Sequence, residues 1–363
     1  MMLIETLNTG DKVYLYNKSI VIKFSGKRGV LSTSILNGGY SEEITAVFNH
    51  DAKTAPGMGC KLKAPTYKEH MEIISEELGL NHRFTTGIGT AADMKNISIV
   101  KKSYKNLVVT ALVTGGIETN GGRVGDPASY IEEDSKIEIL KPGTINIIVM
   151  IDGQIDSGVL TRSLVTITEA KTAAIQELLA GSNYSTGLAT GSGTDGTIVY
   201  CNLESDRTYS NAGKHSKLGE LIGISVKEAV KKALDLQSGL NEDNQKSILR
   251  RTKRYGINSE TLWENYTSRE RKKILHKLDY MNILFKIEKN ENLVSYVSLI
   301  LHLLDQYEWK LLSKDIVAIQ CQEVLDKIFL ETKVEENFDN LVETIIEKLK
   351  ASINGLIEVS EVV

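Results

Sequence analysis

Five segments rich in Gly, Thr, Ser and Asn hold most of the residues able to bind or transform a small molecule: 29–39, 85–90, 114–126, 189–195 and 213–220. Glycine lets backbone approach a ligand and exposes N–H groups, while hydroxyls and amides add directed hydrogen bonds. Their contact candidates are Asn37, Gly38, Thr85, Thr114, Gly115, Asn120, Thr190, Gly191, Thr194, Ser216 and Lys217. Of six histidines, His215 stands in a polar Gly-Lys-His-Ser-Lys stretch before an apolar run. An imidazole pKa near 6.5 suits proton transfer at neutral pH; a solvated helix entry is the plainer reading of that spacing. His50, between Asn49 and Asp51, is a second candidate, whereas His70 and His82 flank a helix as surface residues.

Asp126 and Asp195 each close a glycine-rich loop, where either could orient a histidine or polarise a water. Asp126 precedes Pro127, so turn capping is its alternative role. Glu169 and Lys171 are two apart in helical sequence, project in different directions, and read as core-edge or surface residues. Nucleophile candidates are Ser32, Ser34, Thr85, Thr86, Thr114 and Ser216. The Gly-Ser-Gly of 191–193 runs into strand-like sequence, so it lacks the helix N-terminus that binds a pyrophosphate. The sequence has no Gly-x-Ser-x-Gly elbow. Nor has it a His-Glu-x-x-His motif or a His/carboxylate cluster at metal-ligand spacing, although ligands drawn from distant loops stay open.

Strands and helices have to hold these segments. Strand candidates are 12–24, 43–49, 97–101, 107–114, 145–152 and 197–202. The run 145–151 is almost continuously apolar, as in a strand buried on both faces. Helix candidates are 66–78, 157–179 and 218–236. In the second, Leu160, Leu164, Ile167, Ala170, Ala174 and Leu178 recur near helical spacing, and Asp156 or Ser157 caps the start. Thr-Thr-Gly-Ile-Gly-Thr at 85–90 is echoed by Ser-Thr-Gly-Leu-Ala-Thr at 185–190, so two related α-loop-β halves stand beside chance similarity.

Past residue 240 glycine becomes scarce and Lys, Glu, Leu and Ile dominate. Apolar residues recur at helical spacing in 274–284, 293–304, 316–330 and 338–356. The expected organisation is an α/β domain over 1–240, a mixed sheet with packed helices, followed by an all-α domain over 241–363 whose role stays open. The basic clusters Arg250, Arg251, Lys253, Arg254 and Arg269, Arg271, Lys272, Lys273 read as solvated helix faces, with docking onto the first domain or a partner as the alternative.

The chain has 363 residues, 25% charged and 41% hydrophobic, with formal net charge -4. That balance gives no electrostatic reason to bind nucleic acid or an anionic membrane. Cys60, Cys201 and Cys321 form no C-x-x-C pair, which argues against a disulfide framework and for buried thiols in a reducing cytoplasm. The N-terminus lacks the pattern of a secretory leader, and no apolar run reaches the length of a membrane span. A cytoplasmic protein is expected.

In order along the chain, several motifs resemble those of adenosylcobinamide amidohydrolases. They are Leu31-Ser-Thr-Ser with Asn37-Gly-Gly, Thr85-Thr86-Gly, Val113-Thr-Gly-Gly, Gly125-Asp126, Gly143-Thr-Ile-Asn-Ile-Ile-Val, Thr168-Glu-Ala-Lys-Thr-Ala-Ala, 189–195 and 215–223. The resemblance covers roughly residues 20–236; one departure is Gly121, where the family carries Ala after the residue equivalent to Asn120. It implies hydrolysis of the amide joining the corrin propionyl arm to aminopropanol, giving adenosylcobyric acid for cobalamin salvage.

For that reaction His215 is expected as general acid/base, oriented by Asp195 or Asp126. Thr86, then Ser34, or a bound water is expected as nucleophile, with loop N–H groups stabilising the oxyanion. The corrinoid brings its own cobalt, so no protein-bound cofactor is expected. A large ring calls for a broad cleft with apolar walls. The helical tail is a candidate for self-association or partner docking. A non-catalytic corrinoid binder and a nucleotide-dependent corrinoid side-chain transferase are the rival functions.

Overall fold

The computed structural model describes residues 1–53, 62–128, 143–268, 274–329 and 340–361. They fall into two units, Met1–Asn241 and Glu242–Val363. The first unit holds β1 (Met2–Thr6), β2 (Lys12–Tyr16), β3 (Ser19–Lys23), β4 (Arg28–Ser32), β5 (Gly39–Ser41), β6 (Ala46–Asp51) and β7 (Thr85–Thr90). It continues with β8 (Ser98–Tyr104), β9 (Leu107–Gly116), β10 (Gly121–Gly122), β11 (Thr144–Asp152), β12 (Gly191–Ser192) and β13 (Gly196–Asn202). Its helices are α1 (Tyr67–Glu77), α2 (Ser157–Glu177) and α3 (Lys217–Ser238).

One sheet has five strands in the order β1-β2-β3-β6-β7, and a second has six in the order β5-β4-β13-β11-β9-β8. Pairing is antiparallel except for β6 with β7 and β11 with β13. The expected strand over 12–24 is a hairpin instead. Asn17 and Lys18 take φ of 46° and 56° and turn the chain between β2 and β3, the left-handed pair that a two-residue hairpin turn requires.

Side-chain alternation then builds the layers. Val13, Ile20, Ile22, Val47 and Ile88 of the first sheet share a core with Leu112, Ile148, Met150, Ile198 and Tyr200 of the second. The opposite face of the second sheet, with Val109, Ala111, Val113, Ile147 and Val149, packs on α2 and α3. The opposite face of the first, with Val21 and Phe48, packs on Met71 and Ile74 of α1. The order is helix, sheet, sheet, helices, so β11 is buried on both faces, as its apolar run requires.

Helix α3 is anchored at both ends of β9. Lys217 at its start lies 4.7 Å from the Tyr104 ring, at the β8–β9 turn. At its end, Gln237 Cγ would lie 3.1 Å from a Cβ on Gly116, the last residue of β9. The helix therefore runs the length of β9. The segments 85–90 and 185–190 differ in conformation: the first is strand β7, the second a loop with one bridge between Gly181 and Leu188. The two halves nevertheless share a connectivity: β2-β3-β6 pair antiparallel and α1 leads to β7 parallel to β6, just as β8-β9-β11 pair antiparallel and α2 leads to β13 parallel to β11.

The second unit consists of α4 (Ile248–Thr252), α5 (Ser259–Thr267), α6 (Lys277–Ile287), α7 (Glu291–Glu308), α8 (Lys314–Ile328) and α9 (Leu341–Glu361) among the described residues. Leu262, Tyr280, Leu284, Val297, Ile300, Leu304, Val317, Leu325, Ile345 and Leu349 line its core. Arg254, expected on a solvated face, is instead buried and grips Asp305 through both terminal nitrogens at 2.6 and 2.8 Å. Residues 269–273, which hold the other basic cluster, lie outside the described residues. Cys201 and Cys321 are buried free thiols; Cys60 lies outside the described residues.

Candidate active site

Polar side chains interrupt the sheet-to-sheet core at the end where β11 begins. Asn146, the single polar residue inside the apolar run of β11, accepts the Gly196 amide through Oδ1 at 3.1 Å. A backbone amide can only donate, so Nδ2 of Asn146 must be the donor to Asn49 Oδ1 (2.7 Å) and to the Gly89 carbonyl (3.0 Å). Asn49 then presents its own Nδ2 to Thr114 Oγ1 at 2.7 Å. One backbone group thus orients a chain of amides across β13, β11, β6 and β9. Among the described residues only one Asn49 Nδ2 hydrogen is spent, and the Thr114 hydroxyl hydrogen is not spent at all. All three side chains are buried.

Glycine-rich loops close over this end. Gly143 adopts φ of 140°, and a Cβ there would stand 2.1 Å from Asn120 Oδ1, so only glycine fits. Asn120 donates to the Gly143 carbonyl, and Thr194 Oγ1 donates to the same oxygen at 2.9 Å. Gly121 and Gly122 pair with Ser192 and Gly191 as β10 and β12. Asp195 accepts from the Ile145 amide (2.9 Å) and from the Ser192 hydroxyl (2.6 Å) and amide (3.1 Å), and is ion-paired with Lys171. Asp126 accepts from the Arg123 amide (2.8 Å) and the Ser182 hydroxyl (2.6 Å). Burial would raise the Asp126 pKa, but Ser182, Ser185 and Arg123 outweigh it and hold the carboxyl below its usual range. Thr190 Oγ1 accepts the Val124 amide at 2.9 Å. Both carboxylates therefore bind loop backbone and hydroxyls.

Ser34 and Thr86 come to the same end of the six-stranded sheet. Ser34 Oγ donates to the Gly87 carbonyl at 2.5 Å, while Thr86 Oγ1 donates to the Leu36 carbonyl at 2.7 Å and lies 2.9 Å from Ser32 Oγ. The hydrogen bonds of both hydroxyls go to backbone and hydroxyl oxygens, and among the described residues no histidine or carboxylate bonds to either. Asn37 Nδ2 ties its turn to the carbonyls of His82 (2.6 Å) and Thr85 (2.8 Å), and Gly38 is required there because a Cβ would stand 2.0 Å from the Ser34 carbonyl oxygen. Thr85 Oγ1 donates to the Asn81 carbonyl at 2.9 Å.

His215 is not brought to Asp195 or Asp126. It is exposed and precedes the start of α3, at the end of β9 opposite Gly116. The strand between Ile145, which Asp195 binds, and Asp152 alone spans about 20 Å. Ser216 caps α3 by accepting the Gly219 amide at 3.0 Å, and Lys217 pairs with Glu220. The expected His–Asp arrangement fails because β13 (Gly196–Asn202), parallel to β11, carries the chain from the Asp195 end of the sheet toward its other end before the loop that holds His215.

Sequence reasoning missed Asn49 and Asn146, and it placed Lys171 at a core edge or surface. The signal for Asn146 was one amide inside an apolar strand; for Lys171 it was a lysine on the α2 face that meets the loop over 189–195. His70, expected on a helix surface, is instead buried with the second candidate His50 between the five-stranded sheet and α1, with ring centroids 6.4 Å apart. Burial lowers both pKa values, that of His50 to about 4, with its neighbours His70 and Lys63 adding to the shift. Among the described residues no three His, Cys, Asp or Glu side chains stand together to hold a metal ion. No helix among them is long and apolar enough to cross a membrane.

Comparison with known proteins matches residues 4–242 to the family described as adenosylcobinamide amidohydrolase. An uncharacterized protein of Methanocaldococcus jannaschii is 34% identical over 228 residues, covering 60% of this chain and 86% of that protein. The helical unit lies almost wholly beyond the matched family region.

Proposed function

The chain belongs to the adenosylcobinamide amidohydrolase family, and from that premise we propose that it hydrolyses the amide between the corrin propionyl arm and aminopropanol, releasing adenosylcobyric acid. An amide is a weak electrophile with a poor leaving group. Its hydrolysis needs donors for the developing oxyanion, an activated nucleophile and a proton for the amine. The observation that carries the reading is the oriented Asn146–Asn49–Thr114 chain, which among the described residues leaves one amide hydrogen and one hydroxyl hydrogen unspent at neighbouring positions.

In this reading those two hydrogens receive the carbonyl oxygen of the scissile amide. Both donors are buried, so the glycine-rich loops around them have to part when the corrinoid docks. Water is the nucleophile, because the hydroxyls of Ser34 and Thr86 are engaged with backbone and neither has a base bonded to it among the described residues. Asp195 and Lys171 hold the loop over 189–195 against the start of β11 and so set the shape of the cleft. The substrate carries its own cobalt, and no protein-bound cofactor enters the chemistry. The unit over 242–363 is a candidate for self-association or partner docking.

Incubation of the purified chain with adenosylcobinamide, without nucleotide, tests the reading. Adenosylcobyric acid and free aminopropanol by mass analysis are the expected products. Intact corrinoid retained by the protein overturns hydrolysis in favour of a binding role. Turnover that depends on a nucleoside triphosphate overturns it in favour of a transferase.

A further inference from the structure

Asp51 ends β6 two positions beyond Asn49. Strand alternation turns its carboxyl to the face that carries Val47 and Asn49, toward the six-stranded sheet, while His50 faces α1. The residue is 9% exposed. Oδ1 accepts the Lys53 amide at 3.0 Å; Oδ2 has only the Lys53 ammonium, at 3.7 Å, and accepts no hydrogen bond among the described residues. The charged groups that act on it are Lys53 at the strand's end, Lys18 in the β2–β3 turn, and Asp93 beside the 3-10 turn at Met94–Asn96. The Asp93 amide donates to Gln237 Oε1 at 3.0 Å, and Gln237 in turn lies against Gly116. Asp51, Asp93, Gly116 and the Asn49–Thr114 donors are therefore held at one end of the two sheets.

We propose that Asp51 is the proton-transfer group of the amide hydrolysis, an assignment that rests on the function proposed above. The attacking water's oxygen bonds to the carbonyl carbon as one of its protons passes to Asp51. The carbonyl oxygen takes up negative charge against Asn49 and Thr114. The C–N bond then breaks as the proton passes from Asp51 to the amine nitrogen. A carboxylic acid and a free amine leave, and Asp51 is ionised again.

The electrostatics suit this work. Burial raises the Asp51 pKa, the Lys53 amide and the charges of Lys53 and Lys18 partly offset that, and Asp93 pushes it upward. A carboxyl raised toward neutral pH is both a stronger base and a usable acid. His50 does not share the task, since it lies on the other face of the strand and contacts Ser19 at 2.8 Å.

The test compares the full-length wild type with Asp51→Asn, Asp51→Glu, Asp93→Asn and Lys53→Met, measuring aminopropanol release, corrinoid binding and the pH profile of kcat/KM. Asp51→Asn is expected to lose about 100-fold or more in turnover with binding kept, and Asp51→Glu to recover part of it. Asp93→Asn keeps its turn cap but removes a negative charge, so the acid limb of the profile should move to lower pH. Lys53→Met removes a positive charge, so the limb should move to higher pH. An active wild type with an equally active Asp51→Asn, or with both acid limbs unmoved, overturns this assignment alone. Loss of binding together with turnover in both Asp51 variants marks a structural residue and overturns it too. A wild type that releases no aminopropanol overturns the parent function and the assignment with it.

Discussion

The two ends of the six-stranded sheet both bury polar groups, but they use them differently. At the end where β4 begins, Asp11 and Arg28 form a buried ion pair with Nε and Nη2 donating at 3.0 and 2.8 Å, and every strong donor and acceptor is taken by Thr9, Ser25, Lys27 and Asn202. At the end where β11 begins, the Asn146–Asn49–Thr114 chain is oriented but, among the described residues, not exhausted, and Asp51, two positions along β6 from Asn49, has one carboxylate oxygen that accepts no hydrogen bond from them. A saturated network adds rigidity; one with directed hydrogens left over can receive a ligand. Burial of polar groups alone does not mark a site.

The largest expected effect tests the saturated end. Arg28→Ala strands the Asp11 carboxylate and should destabilise the first unit by about 3–5 kcal/mol, read as a lowered urea midpoint, with turnover per folded molecule unchanged. A fall in kcat without a fall in stability would erase the contrast between the ends.

Acid should loosen the other end first. The folded His50 pKa, about 4, lies below the ordinary imidazole value near 6.5. The unfolded chain therefore binds protons that the folded unit refuses. Stability is full above about pH 6.5 and falls progressively toward pH 4, by about 3 kcal/mol at most for this residue. His50→Asn should flatten the urea midpoint over that range, and a midpoint equally pH-dependent in the variant would contradict it.

Thr114→Val keeps shape but removes one proposed oxyanion donor. It should lower turnover about 100-fold, or about 2.7 kcal/mol of transition-state stabilisation, and the effect should appear in kcat more than in KM. The smallest effect is expected for His215→Ala, under about twofold in turnover, because the side chain is exposed at the opposite end. A loss there of two orders of magnitude would move the chemistry to that end.

Much of this was legible in the residues. The glycine loops, the doubly buried β11 and the change to a helical unit past residue 240 are consequences of composition and period. The hairpin at Asn17-Lys18 was not legible, because two polar residues inside a β-rich run look like solvent-facing strand positions until their φ values are known. His215 looked catalytic because its loop is polar and precedes a helix, but nothing local reveals that β13 carries the chain along the sheet and away from Asp195 before that loop begins. Asn49 is hidden for the converse reason. Its partners lie 65 and 97 positions away, and only the face-to-face packing of the two sheets brings them together.

The most direct test of where the chemistry resides is a crystal structure of Asp51→Asn soaked with adenosylcobinamide, with the substrate's own cobalt located by anomalous scattering. The scissile amide is expected against Asn49, Thr114 and the Gly143 loop, with the cobalt within one corrin side chain's reach of them. Cobalt beside His215 and the start of α3 would contradict that placement.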